Sequence, residues 1–172
     1  VRAPYLGAVK KRLAAGIGAF AARRFYLKIA SKLIARVSTN TPWQTILSVT
    51  PNASAVQGRY WPPGVKRIPQ GYGNLGERME RTLLRFPNQP VAIIGSDIPD
   101  ISNKNIKNAF SAVGRSDFVF GPSPDGGYWL VGLRMGSLAR GLFQNIRWSS
   151  EFALTDTLRN TGTRRVELIE EL

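Results

Sequence analysis

The chain has 172 residues, 43% of them apolar, and a formal net charge of +13, with no cysteine and no histidine. Disulfides, thiolate and imidazole metal sites, a serine–histidine triad and any histidine base are therefore excluded. Any catalysis must rest on carboxylates, Lys, Arg, Tyr, hydroxyls, backbone amides or a hard cation, and no apolar run approaches the roughly 18 residues of a membrane span.

The length fits one domain with a full hydrophobic core. The charge is uneven: residues 1–76 carry twelve Lys or Arg and no acid, whereas residues 77–172 carry twelve bases and eleven acids. Such a first half can grip nucleic acid, anionic lipid or the phosphates of a small ligand. A cysteine-free chain suits a reducing compartment, and a cytoplasmic location is expected. The opening Val-Arg-Ala-Pro has neither an initiator Met nor a signal-peptide core, so the chain reads as processed or truncated, with an opening strand lost.

Pro4 and Gly7 mark a loop that leads into a helix, with Lys10, Lys11 and Arg12 clustered at its start. Two readings stand, an anion cradle of free amides and cations, or a solvated basic turn. A long helix is expected over 14–37, with Ala22, Tyr26, Ile29, Ala30, Leu33 and Val37 on one face and Arg24, Lys28, Lys32 and Arg36 on the other. Such a helix usually covers a sheet; a basic amphipathic face can also lie on membranes or nucleic acid. A short buried strand is expected over 44–50, turns over 51–64, and a brief extended piece over 65–69.

Three glycines between Gly71 and Gly76 precede a helix running to about Phe86, and permit close approach to a ligand. Glu77 suits the positive end of that helix, and Arg78 has no apolar task. Val91–Ile94 reads as a central parallel strand ending in Gly95-Ser96-Asp97. A carboxylate there is costly unless bound, and a hard cation bridging Asp97 to phosphate oxygens would satisfy it. Asp100 reads first as a cap for a helix over 103–113. Phe118–Gly121 and Tyr128–Leu133 flank Pro124-Asp125-Gly126-Gly127, which is either a hairpin turn or a second ligand-binding carboxylate. The hairpin explains the glycines well and Tyr128-Trp129 less well. A helix from Ser149 or Ser150, with Glu151 in its first turn, and a strand over 165–169 close the chain.

These motifs together resemble a known group. Arg2-Ala3-Pro4, Gly7, Lys10-x-Arg12-Leu13, Gln70, Leu75-Gly76-Glu77-Arg78-Met79, Gly95-Ser96-Asp97-x-Pro99-Asp100 and Gly121-Pro122 with Asp125-Gly126-Gly127-Tyr128 look like the selenodomain-associated transferase family. That family is placed in the GT-A (nucleotide-diphospho-sugar transferase) superfamily, and the resemblance covers essentially the whole chain. It implies a single three-layer α/β/α GT-A-like domain over 1–172 with a mostly parallel central sheet, lacking the first strand and a C-terminal acidic segment.

It further implies a metal-dependent glycosyltransferase of the GT-A type, using a nucleotide or nucleotide-sugar donor, a small-molecule acceptor and Mg²⁺ or Mn²⁺. A guanylyltransferase-like nucleotidyltransferase acting on a phosphorylated acceptor is the alternative, and a nucleic-acid-binding domain the remote one. Asp97 maps to the metal–diphosphate position, with Asp125 as second carboxylate, metal ligand or acceptor-side base. Lys10 is the third catalytic candidate. Arg2, Lys10, Arg12, Gly76, Arg78, Gly95 and Ser96 are the nucleotide-binding candidates. Two departures from the family pattern are Lys11, where a Thr is usual, and Asn74, where an acid is common.

Overall fold

The computed structural model describes residues 1–57 and 60–172; Gly58 and Arg59, inside the turn-rich stretch 51–64, lie outside the described residues. The chain divides into two compact units, Val1–Gly71 with Ser96–Asn103, and Tyr72–Gly95 with Lys104–Leu172.

In the first unit the single long helix expected over 14–37 is two helices, α1 (Lys11–Ile17) and α2 (Ala19–Ser38). The break falls at Gly18, whose φ of +83° and ψ of 154° leave the helical region. Ala22, Tyr26, Ala30, Leu33, Ile34 and Val37 are the buried face of α2. Tyr26, Ala30 and Ile34 share a core with Leu47 and Val49 of strand β1 (Ile46–Val49). Each buried Leu, Ile or Val contributes about 1.5–3 kcal/mol, enough for this face alone to anchor the helix. The carbonyl of Val37, orphaned at the helix end, accepts from Trp43 Nε1 at 2.8 Å and Thr45 Oγ1 at 2.5 Å. β1 pairs in parallel with β2 (Lys66–Pro69), from Ile46↔Lys66 to Val49↔Pro69. The short helix α3 (Ser54–Gln57) lies in the stretch read as turns. Val1–Ala3 runs parallel to the end of β1: Ala3 N donates to Thr50 O at 2.7 Å and Thr50 N to Val1 O at 3.0 Å.

The second unit holds α4 (Leu75–Leu83), β3 (Val91–Ile94), α5 (Asn103–Val113), β4 (Phe118–Pro122), β5 (Tyr128–Leu133), a 3-10 turn at Gly136–Ala139, α6 (Ala153–Arg159) and β6 (Val166–Leu168). Its sheet runs β3-β5-β4-β6. β3 and β4 are both antiparallel to β5, and only β4–β6 is parallel. The expected mostly parallel sheet is therefore a mixed one. The β4–β5 hairpin inserts β5 beside β3, so Val91–Ile94 ends this sheet in an antiparallel ladder instead of forming a central parallel strand.

Alternation sorts the sheet's side chains. Phe118, Phe120, Val131 and Leu133 face a core with Leu83 of α4, Ala139, Leu142 and Phe143, against which Leu154 and Leu158 of α6 also pack. On the other face Gly132 lies under Val113 of α5, where an added Cβ would sit 3.0 Å from Val113 Cγ2. The helix expected from Ser149 or Ser150 begins at Ala153, so its first-turn acid is Asp156 and not Glu151.

Asp156, 8% exposed, ties the preceding loop to α6. Its carboxylate accepts from Arg147 N at 3.1 Å, Nε at 2.9 Å and Nη2 at 2.8 Å, and the Arg147 hydrogen bonds hold its pKa down to about 2. Its folded pKa thus lies below the unfolded value of roughly 3.9. The stabilisation is complete above pH ~4 and is lost as pH falls through about 2. Asp156→Asn is expected to melt clearly below wild type at pH 7, with the gap closing towards pH 2; a gap independent of pH would exclude this linkage.

Candidate functional site

The opening loop, the middle of α2 and the turn after β3 meet within the first unit. Lys10 Nζ donates to Asp97 Oδ2 at 2.6 Å across 87 residues of sequence, with the two side chains 30% and 45% exposed. A pair this wet adds at most about 1 kcal/mol to stability. Lys10 is moreover left-handed, φ 48° and ψ 49°, a conformation that costs a non-glycine residue about 1 kcal/mol. It stands at the N-cap of α1 without a side-chain cap, since a donor-only ammonium cannot accept from the free amides, and it is turned to Asp97 instead. Stability alone gives little reason for this arrangement; placing a cation and a carboxylate side by side in an accessible turn does.

Tyr26 organises the turn from beneath. Its Oη accepts from Arg2 N at 3.1 Å and donates to Arg2 O at 3.0 Å, and it also hydrogen-bonds the Ser96 side chain. Burial pushes the phenol pKa up, partly opposed by the Ser96 and Arg2 bonds, so Tyr26 remains a neutral donor. One buried hydroxyl thus fixes both the backbone leading to Lys10 and the residue preceding Asp97. Arg36 adds a second tie, its Nη1 donating to Pro99 O at 2.9 Å and Ile101 O at 2.6 Å. Arg12 is exposed in the first turn of α1.

The second unit places the other candidates. Asn74 and Glu77 form a reciprocal capping box on α4, Asn74 Oδ1 accepting from Glu77 N at 3.0 Å and Glu77 Oε2 from Asn74 N at 2.7 Å. Asn in place of the family's acid therefore costs the helix nothing, since both residue types cap well. Arg78 Nε donates to Asn74 O at 3.1 Å. Gly76 is buried, and a Cβ there would meet Phe143 Cβ and O at 2.8 Å. Gly95 N donates to Trp129 O at 2.9 Å. Asp125 is exposed and its Oδ1 accepts from Gly127 N at 3.1 Å, a turn that closes the β4–β5 hairpin.

The family model described as "Uncharacterized protein conserved in bacteria (DUF2064)" matches residues 33–150, more than half of the chain. The chain belongs to this DUF2064 family. A solved structure, described as a "putative nucleotide-diphospho-sugar transferase" from Desulfovibrio desulfuricans G20, aligns with a TM-score of 0.88 and 24% identity, covering 99% of this chain and 77% of that one. The resemblance to the nucleotide-diphospho-sugar transferases therefore holds at the level of fold. No curated protein matches the sequence.

In this DUF2064 chain the motif residues divide into those with a structural task and those without. Tyr128 and Trp129, which the hairpin reading explained poorly, are core: Tyr128 packs edge-on against Phe120 and Trp148, and Trp129 Nε1 donates to Glu170 O at 3.0 Å. Asp125 has a sufficient role in its turn. The pairing of Lys10 with Asp97 has no comparable structural account. Tyr26 was legible only as a buried position, although a Tyr amid Ala, Leu and Ile signals a hydroxyl in need of a partner.

Among the described residues no three His, Cys, Asp or Glu side chains cluster to form a metal cage. Asp97 is a single accessible carboxylate whose Oδ2 is already paired with an ammonium. Such a set fits a hard cation that arrives with a phosphate-bearing ligand, which needs only one or two protein carboxylates, better than a permanently resident ion. Asp97 would be the first of those ligands.

Proposed function

We propose that this chain is a GT-A-type glycosyltransferase that takes a nucleotide-sugar donor with Mg²⁺ or Mn²⁺, acts on a small-molecule acceptor, and works as one three-layer transferase domain. The observation that carries this reading is the 2.6 Å Lys10–Asp97 pair at an accessible turn. The fold likeness and the cysteine-free composition, which suits the cytoplasm, support it.

When bound, the divalent ion would neutralise negative charge on the diphosphate leaving group. The chain's own residues have separable tasks. Lys10, aimed by Asp97, meets the diphosphate with a cation that needs no reorganisation during departure. Arg2 and Arg12 add phosphate contacts, and the backbone at Ser96 lets the nucleotide approach. Asp97 either orients Lys10 or ligates the ion, and charge from the donor shifts it between the two. Asp125, exposed in its turn, serves the acceptor side as a carboxylate base, the natural choice in a chain without histidine.

The test is a thermal-shift panel of nucleotide sugars and nucleoside triphosphates, each with and without Mn²⁺. A ligand at a hundred times its Kd stabilises by about 2.7 kcal/mol, several degrees for a domain of this size. A metal-dependent shift with a nucleotide sugar is expected. A shift with triphosphates alone moves the reading to nucleotidyl transfer, and none with any nucleotide overturns it.

A further inference from the structure

We infer that the solvent face of α2 docks this protein onto an anionic lipid surface, an inference independent of the transferase reading. With the buried side of α2 turned to the core, its outer side carries Phe20, 71% exposed, Phe25, 47% exposed, and Arg24, Lys28 and Lys32. Ile17, three residues before Phe20, is 52% exposed. The remaining exposed positions include Ala21 and Ala35, and no acid occurs anywhere before Glu77.

An ordinary solvated helix face mixes both charge signs, so that cations find partners four residues away. Here Arg24, Lys28 and Lys32 stand at strict four-residue spacing, an arrangement that repels itself in water and is relieved against negative headgroups. Two phenylalanines beside them have no role in water. At a membrane interface their rings enter the headgroup boundary while the cations stay with the phosphates. Single-stranded nucleic acid would use the same charges, but it stacks aromatics within a groove; the outer side of a single 20-residue helix offers a convex face. Charge complementarity and exposed rings together favour a lipid surface. Among the described residues no helix is long and apolar enough to cross a membrane, so docking here is peripheral.

The experiment is co-sedimentation with phosphatidylcholine vesicles, neutral or containing about a third phosphatidylglycerol. Binding to the anionic vesicles alone is expected. Each basic side chain near such a surface is worth about a five-fold change in partitioning, so Arg24→Gln/Lys28→Gln/Lys32→Gln is expected to weaken binding about a hundred-fold. Phe20→Ser/Phe25→Ser is expected to lower it about ten-fold and to remove the part that survives high salt. Because the protein has no cysteine, Ala21→Cys accepts a single polarity-sensitive label whose emission should shift to the blue on vesicles. Lys104→Gln/Lys107→Gln, both exposed on α5, is the control and should change binding by less than about two-fold. Equal loss in that control, no effect of the phenylalanine pair, an unshifted label, or tighter binding to single-stranded DNA than to vesicles would each overturn the inference.

Discussion

Lys10→Gly is expected to leave the protein as stable as wild type, or about 1 kcal/mol more stable, while transfer falls by at least a hundred-fold. The gain comes from the backbone: glycine adopts φ 48° without the clash that a lysine Cβ meets there. The ion pair that disappears is too exposed to offset that gain. The loss comes from the ammonium, since removing one preorganised donor of charge stabilisation typically costs about a hundred- to a thousand-fold in rate. Asp97→Asn separates the two tasks proposed for this carboxylate. If Asp97 chiefly aims Lys10, the Asn variant retains nucleotide-dependent stabilisation with a lowered rate. If it chiefly ligates a nucleotide-borne cation, the Mn²⁺-dependent part of the thermal shift disappears. Melting curves and single-turnover rates for both variants decide this. A Lys10→Gly protein that is several degrees less stable, or fully active, would show that the pair holds the fold together and has no part in transfer.

Those residues illustrate what a sequence carries and what it withholds. Asp97 was legible because a carboxylate just beyond a run of Val-Ala-Ile-Ile is a local anomaly, needing a partner that the next few residues do not supply. Lys10 was legible only as part of a basic cluster. Nothing in the local pattern distinguishes it from Lys11 or Arg12; its left-handed backbone and its partner 87 residues away are products of the fold. The elements themselves followed their periodicity closely, as in α5 and β5. The errors arose where one signal serves two outcomes. A continuous apolar run marks a strand buried on both faces, but the sense of its pairing depends on which neighbour it meets, and here that neighbour is the antiparallel β5. The helical period of 14–37 continues through Gly18, whose break is a backbone event that apolar spacing does not register. Exposed Phe20 likewise looked unremarkable in the periodic pattern; its exposure emerges only once α2 has chosen its buried side.

The paired glycines of the Asp125 turn sharpen the distinction between a residue that shapes a turn and one that is packed against. Gly126 has φ +78°, and a Cβ there would lie 2.1 Å from Glu151 O and 2.4 Å from Glu151 Cα. Those atoms belong to backbone leading into α6, which is itself fastened to the turn by Leu154 N donating to Gly126 O at 3.0 Å. Neither side can yield without breaking that bond, so Gly126→Ala combines left-handed strain with a backbone collision. A loss of about 2–4 kcal/mol is expected, the sum of roughly 1 for the dihedral and 1–3 for the forced shift. Gly127, next in sequence, has no left-handed φ, and its Cβ would meet only the Asp125 Oδ1 side-chain atom at 3.1 Å. Gly127→Ala should therefore cost less than about 1 kcal/mol, because a carboxylate rotamer can give way where a backbone cannot. Chemical denaturation of the two variants measures the difference directly. Should they prove equally destabilised, the hairpin's own geometry governs this turn. A large gap in the expected order means that Gly126 is there to let the backbone leading into α6 press against the loop, and that Asp125 is held in place by that packing.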